Sequence, residues 1–334
     1  MYFDVGIDIG TTNTKMYFRN SSDIICIPSV IAVHKKKGKI VGVGETAYKM
    51  IGKTPDFIMV KETIKKGLVS DLHLNKILIN EFLSKRLGKT IRRLKVCLNF
   101  HSFMSDLDKL AFKNSIFSSE YNKLYLIDES LASAVGSYID FSSERYNLIV
   151  NVGGGTTDIS IISPAGIVLN NSIQIGGEDI NEIIKKNLYG NYNFLIGKTT
   201  TEKIKKDAIT LENPSDQLKY TIKGKDVLTR LPKTQEFTQK QICEGITKPI
   251  NIIIENLKEI IKLADPDAVS SIQNTGIILT GGSSLILGFK EMIENQLKIK
   301  VKTVENPINC VAYGALNAFN VFDSNFSSQF VIPA

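Results

Sequence analysis

The chain has no paired cysteines: Cys26, Cys97, Cys243 and Cys310 stand far apart, with no Cys-x-x-Cys and no nearby histidine pair. Such spacing signals neither a disulfide framework nor a zinc site, and a reducing cytoplasm suits it best. No stretch reaches the roughly 18 apolar residues of a membrane span. The opening "MYFDVGIDIG" has neither a basic leader nor a cleavage site. The expectation is a cytoplasmic protein, neither secreted nor membrane-spanning. Basic runs are present without interleaved aromatics, so a groove for single-stranded nucleic acid is not expected.

What is present is a globular composition, 43% hydrophobic and 22% charged over 334 residues. Single cores usually stop near about 250 residues, so the length predicts two domains. The formal charge of +7 fits either a lysine-rich solvated surface or an anionic partner such as a nucleotide or a membrane face. Local basic runs fall at "HKKKGK" (34–39), "KKGL" (65–68) and "KTIRRLK" (89–95).

Two segments repeat one device. "VGIDIGTTNTKMYF" (5–18) and "LIVNVGGGTTDISII" (148–162) each run a short apolar strand into a Gly/Thr turn and a second strand. Superposing Ile7-Asp8-Ile9-Gly10 on Val150-Asn151-Val152-Gly153 aligns them if the second copy carries two extra glycines. An internal duplication into two related halves follows. Between the hairpins, 74–87 and 106–117 have helical spacing and 94–100 reads as a strand. Residues 125–139 read as a strand ending near Asp128, then a helix of small residues able to pack close to a neighbouring backbone. Later, 176–188 and 200–209 are expected helices, the second capped by Thr200 or Thr201. The stretch 212–240 suggests a small sheet. A long helix over 246–264 ends at "DPD", followed by strand 276–280, a helix from Leu285, strand "KVKTVE", helix 311–319 and a low-order tail.

Glycine has no Cβ to obstruct a phosphate, so such turns let backbone N–H groups approach one while hydroxyls add donors. One copy could be an ordinary hairpin. Two copies opening two halves could close on one polyphosphate from opposite sides. A third loop, "ILTGGSSLILG" (278–288), leads a strand into a helix start, which suits a ribose or phosphate.

The ordered series "DIGTTNTK", "IDESLASAVG", "NVGGGTTDISII", "ILTGGSS" and "VAYGALNAF" resembles the motifs of the actin, heat-shock chaperone and sugar kinase superfamily. Within it the chain is similar to bacterial actins of the MreB type. "IPSVIAV", "VGETAYKMIGKTP", "IKKGLVSDL", "GIVLNNSIQIGGEDINEII" and "YNFLIGKTTTEKIKKDAI" extend that similarity over nearly the whole chain.

The resemblance implies an α/β, actin-like fold: two duplicated RNase H-like domains, each with a small inserted subdomain, and nucleotide in the cleft between them. The first domain is expected over 1–142 plus 313–334, with an insert near 33–68. The second is expected over 143–312, with an insert near 178–242. ATP and Mg²⁺ are the implied cofactors. Asp8 would reach magnesium through water. Thr11, Thr12 and Asn13 would meet the phosphates, as would Gly153, Gly154, Gly155, Thr156 and Thr157, while Lys15 is either a phosphate contact or a solvated strand lysine. Glu129 and Thr156 would orient the attacking water. Asn151 stands where the family has an aspartate. It keeps size and hydrogen bonding without charge, so ATP binding should persist while hydrolysis slows. Glu202 and Lys205 are either nucleotide contacts or a surface ion pair, and Gly281, Gly282 and Ser283 would complete the pocket.

The implied function is a filament-forming, ATP-binding cytoskeletal protein, its partner being itself and a second candidate being the anionic inner face of the membrane. A small-molecule kinase and a plasmid-segregating actin are the alternatives. A heat-shock-type chaperone ATPase is a third class, and it is not expected.

Overall fold

The computed structural model describes residues 4–19, 21, 24–87, 94–114, 116, 123–321 and 331–333. The opening strands β1 (Val5–Ile9), β2 (Asn13–Phe18) and β3 (Ile24–Pro28) form an antiparallel meander. A small sheet follows, built from β4 (Val30–His34), β5 (Ile40–Val43) and β6 (Ile58–Glu62), with helix α1 (Glu45–Tyr48) between the last two. A two-stranded ribbon, β7 (Ile64–Lys65) and β8 (Leu68–Val69), leads into α2 (Leu72–Leu87). The chain then returns to the first sheet as β9 (Lys95–Phe100), parallel to β1. After α3 (Asp106–Asn114), β10 (Lys123–Asp128) pairs in parallel with β9 and runs straight into α4 (Glu129–Gly136).

The second half repeats this path. Strands β11 (Asn147–Val152), β12 (Thr157–Ser163) and β13 (Gly166–Ile173) make the meander. Helix α5 (Gly177–Tyr192), β14 (Phe194–Leu195) and α6 (Lys198–Ala208) precede β15 (Lys219–Asp226) and β16 (Pro232–Thr238), which with β14 form a small sheet. Helices α7 (Gln239–Cys243), α8 (Thr247–Leu263) and α9 (Pro266–Thr275) lead back to β17 (Ile277–Thr280), parallel to β11. Then come α10 (Phe289–Leu297), β18 (Val301–Thr303), α11 (Cys310–Val321) and β19 (Val331–Pro333).

The sheet orders state the duplication directly. The first is β19-β10-β9-β1-β2-β3 and the second β18-β17-β11-β12-β13, so apart from β19 the strands correspond one to one in order and direction. Each sheet has its own apolar cluster. That of the second half includes the α8 stripe Ile250, Ile253, Ile254, Leu257 and Ile260, each contributing about 1.5–3 kcal/mol by leaving water. A third cluster joins the halves: Cys97 and Tyr125 from the first sheet, Ile149 and Ile162 from the second, and α4 with α11 between them. The small-residue helix does pack close to a neighbouring backbone. A Cβ on Gly314 of α11 would lie 1.7 Å from the Ala132 carbonyl oxygen, and one on Gly136 2.0 Å from that of Cys310.

Several local expectations shift. The second hairpin needs no extra glycines: Asp8 pairs with Lys15 as Asn151 pairs with Asp158, and Ile9–Thr14 matches Val152–Thr157. Both turns therefore hold four residues, closed by Gly10 N–H donating to Asn13 O and Gly153 N–H donating to Thr156 O. Helix α6 starts at Lys198 with Gly197 as its cap, and the Thr201 hydroxyl instead donates to the Gly197 carbonyl. The "DPD" stop is also a start, because Pro266 fits the first turn of α9 and Asp265 accepts from the Asp267 N–H. Leu285 ends a 3₁₀ turn, and the helix expected there begins only at Phe289. In the tail, Val331–Pro333 adds an antiparallel edge strand to β10. No helix among the described residues is long and apolar enough to cross a membrane.

Candidate nucleotide site

The two Gly/Thr turns meet at the mouth of a cleft of about 520 Å³ between the sheets. Their approach is close enough to require glycine: a Cβ on Gly154 would sit 2.2 Å from Thr12 Oγ1, and one on Gly155 2.6 Å from Thr11 Oγ1. Thr11, Thr12 and Asn13 line the cleft from one side, and Gly153, Gly154, Gly155 and Thr156 from the other. Thr11 Oγ1 also accepts from Gly67 N–H at 3.0 Å, which fastens the tip of the β7–β8 ribbon over the site. Thr157 does not line the cleft. As the first residue of β12 it is fully buried, and its hydroxyl donates to Ile175 O at 2.8 Å.

The third loop supplies Gly281, Gly282 and Ser283 to the same cavity. Ser283 Oγ donates to Gly153 O at 3.0 Å, tying the loop to the second turn. Glu202 and Lys205 line the cleft and are also an ion pair, 2.8 Å apart and only 18% and 15% exposed. Lys205 donates as well to Gly177 O, and Glu202 accepts from Asn181. The pair thus lines the cleft and is largely buried rather than a surface ion pair. Apolar side chains also line the cleft, Ile209, Leu285, Ile286, Pro307, Ile308 and Val311, and suit the flat face of a base. Lys206 and Gly10 complete the lining.

The floor is a network of buried charge. On the first hairpin Lys15 Nζ lies 2.7 Å from Asp8 Oδ2, with the side chains 14% and 7% exposed. Burial works to lower the Lys15 pKa, but the adjoining Asp8 carboxylate outweighs it and leaves it above the ordinary value. Asp8, expected to face a metal through water, thus already has a cation. On the second hairpin the Asn151 amide donates to Glu129 Oε1 at 2.6 Å. Asn99 Nδ2 donates to Glu129 Oε2 at 2.5 Å. The other partner of Oε2 is His101, whose Nδ1 is 3.2 Å from it and equally 3.2 Å from Asp158 Oδ2. Ser172 donates to the second Asp158 oxygen.

His101 is 4% exposed, and desolvation alone would keep it neutral. The carboxylates of Glu129 and Asp158 overcome that and push its pKa to about 10, so it is an imidazolium at neutral pH. Burial pushes Glu129 above the usual carboxylate range, with His101 opposing and Asp158 and Asp8 adding repulsion. Asp128, where β10 meets α4, is raised to about 6 by burial, against hydrogen bonds from Ser102 and Ser130 N–H.

Neither His101 nor Asp158 stood out in the sequence. A lone histidine after an apolar strand carries no motif, and Asp158 reads as one polar residue in an alternating strand. Of the apolar lining residues, Ile209, Leu285, Ile286 and Val311 fall within segments quoted from the sequence, whereas Pro307 and Ile308 carried no signal.

A family model described as MreB/Mbl protein matches residues 2–326. The chain is 30% identical over 314 residues to the cell shape-determining protein Mbl of Bacillus subtilis, covering 93% of this chain and 94% of that one. It is 27% identical to the cell shape-determining protein MreB of Escherichia coli, covering 98% and 96%. Among solved structures it is similar to MreB5 of Spiroplasma citri, which has been crystallised with ADP (TM-score 0.89, 25% identity, 97% of each chain). The same protein bound to AMPPNP gives a TM-score of 0.90 at 25% identity, covering 97% of this chain and 98% of that one.

Proposed function

The chain belongs to the MreB/Mbl family, and from that premise we propose that it is an ATP-binding, filament-forming bacterial actin that organises cell shape. The observation that carries this reading is the pair of duplicated turns, packed so closely that a Cβ on Gly154 would lie 2.2 Å from Thr12 Oγ1 and one on Gly155 2.9 Å from Thr11 Cβ. Such a clamp suits one polyphosphate held by both halves, with the base against the apolar side chains of the cleft. The two bodies that move against each other are 1–142 plus 313–334 and 143–312. Nucleotide state sets their closure, and closure sets the contacts of a head-to-tail polymer.

Within the cleft, Thr11, Thr12, Asn13 and the three glycines position the phosphates, while Glu129 and Thr156 orient water. Phosphoryl transfer depends mostly on positioning and electrostatics rather than on a strong base. Glu129 already accepts from Asn99 and Asn151 and lies 3.2 Å from His101 Nδ1, which fixes its side chain but draws off its capacity to polarise water. Slow hydrolysis is the proposed consequence.

Magnesium is the ion expected with a triphosphate. The donor set fits it poorly, because Asp8 is paired with Lys15 and Asn151 turns an amide donor, not a carboxylate, toward Glu129. A magnesium ion would need one or two free carboxylates to hold its waters.

Contact with an anionic membrane face rests on the net charge and on the basic run 89–95, most of which lies outside the described residues. Salt-sensitive flotation with acidic liposomes tests it.

The main test is sedimentation and negative-stain imaging with and without ATP, alongside phosphate release. ATP-dependent pelleting as fibres, with phosphate release lost in Glu129→Gln, is the expected result. Absence of both pelleting and nucleotide binding would overturn the reading. Phosphate transfer to a member of a sugar panel would favour the kinase instead.

A further inference from the structure

The hairpin register gives the strongest unassigned observation. The four positions are equivalent in register, Asp8 opposite Lys15 and Asn151 opposite Asp158, and three of them, Asp8, Lys15 and Asn151, line the cleft. Every carboxylate of that floor has an internal positive partner: Asp8 has Lys15 at 2.7 Å, while Glu129 and Asp158 share His101 at 3.2 Å. None of these three acids is without a cationic neighbour that offsets its charge. Lys15 itself lines the cleft, as do the turn residues Thr12 and Asn13. An ammonium has three donors, so it can keep Asp8 and still offer N–H bonds to a phosphate oxygen. It is a compact point charge on a flexible stem, suited to that task.

We propose that Lys15, held by Asp8, is the resident cation of this nucleotide site, neutralising phosphate charge where a divalent metal would otherwise be required, so that nucleotide binds with little dependence on magnesium. The proposal rests on the nucleotide reading above. It deepens that reading by assigning the counter-charge to a side chain.

The protein's own pairing explains why the position can hold a lysine at all. A buried ammonium without a partner is costly, and the cross-strand Asp8 supplies one whether or not nucleotide is present. The amide at Asn151 belongs to the same arrangement. A carboxylate there would add a negative charge that a retained proton or an added cation would have to balance.

The test is calorimetric titration of the full chain with ATP, in excess magnesium and in excess EDTA. The expected result is a dissociation constant in EDTA within about threefold of that in magnesium. The variant Lys15→Met should lose at least about tenfold more affinity in EDTA than in magnesium. Because Lys15→Met leaves Asp8 buried alone, the double variant Lys15→Met with Asp8→Asn is measured beside it, and melting curves establish that each is folded. A wild-type affinity that falls about a hundredfold on chelation overturns the proposal while leaving nucleotide binding intact. So does equal magnesium dependence in wild type and the double variant. Absence of binding under both conditions would defeat the nucleotide reading itself.

Discussion

Replacing Asn151 by aspartate tests the reading of the cleft floor most directly. The amide nitrogen donates to Glu129 Oε1 at 2.6 Å, and the two residues are 3% and 6% exposed. Asn151→Asp removes a hydrogen bond to a charged group, worth about 1.5–3 kcal/mol. It also sets two buried carboxylates side by side. At an effective dielectric near 20 and about 4 Å between charge centres, their repulsion is about 4 kcal/mol, or about three pKa units. The pair responds by retaining one proton. At pH 5.5 that proton is readily available, and the variant should lose only about 1–2 kcal/mol. At pH 8 it must be held against its unfolded-state affinity, and the loss should approach about 4 kcal/mol. With roughly 2 °C per kcal/mol for a chain of this size, nucleotide-free protein should melt about 3 °C lower than wild type at pH 5.5 and about 8 °C lower at pH 8. The assay is differential scanning fluorimetry across that range, with Asn151→Ala as a control that removes the donor without adding charge. An equal loss at both pH values, or a control that tracks the aspartate, would refute the reasoning.

Wild-type stability should itself fall as pH rises. His101, at about 10 in the fold against an unfolded value near 6.5, contributes stability that is full below about 6.5 and is lost on passing through 10. Asp128, raised to about 6, and Glu129, also raised, act in the same direction at lower pH. His101→Gln should flatten the part of a melting profile between pH 7 and 10, and an unchanged slope there counts against the imidazolium. Gly314→Ala would place a methyl 1.7 Å from the Ala132 carbonyl oxygen. It should destabilise by about 1–3 kcal/mol or more in urea titration, whereas a loss under about 1 kcal/mol would mean that α4 and α11 can separate freely. Lys66 pairs across the cleft with Asp179 at 2.5 Å, and Lys198 pairs with Glu62. As partly exposed pairs they are each worth under about 1 kcal/mol. Lys66→Ala with Lys198→Ala should therefore speed nucleotide release a few-fold in stopped flow with little change in melting temperature, and an unchanged release rate would show that these pairs do not latch the cleft.

Most of the fold was legible because its signals are local. A Gly/Thr turn between two alternating strands announces a hairpin wherever it stands, and its recurrence announces the duplication. The cleft-lining residues Thr11, Thr12, Asn13 and Gly153 to Thr156 lie within those turns, so sequence position and spatial position coincide. Thr157 departs from them because strand side chains alternate, and one step along β12 turns it to the buried side. The superposition with two extra glycines failed for a related reason. Register is set by paired hydrogen bonds across the strands, and matching letters within a turn does not measure it. Strand β19 is too short for alternation to show.

By itself, then, the sequence determined the two turns, the third loop and the family to which they belong, since each is written in contiguous residues whose backbone preferences need no distant partner. Tertiary structure alone decided what the charges do. Asp158 and His101 are 57 residues apart, and His101 meets Glu129 only because β9 and β10 are neighbours in the sheet. Lys15 could have pointed to solvent; the pleat of β2 and its pairing with β1 set it beside Asp8 in a water-poor floor. Coulomb energy there depends on separation and burial, quantities that a linear order of residues does not contain.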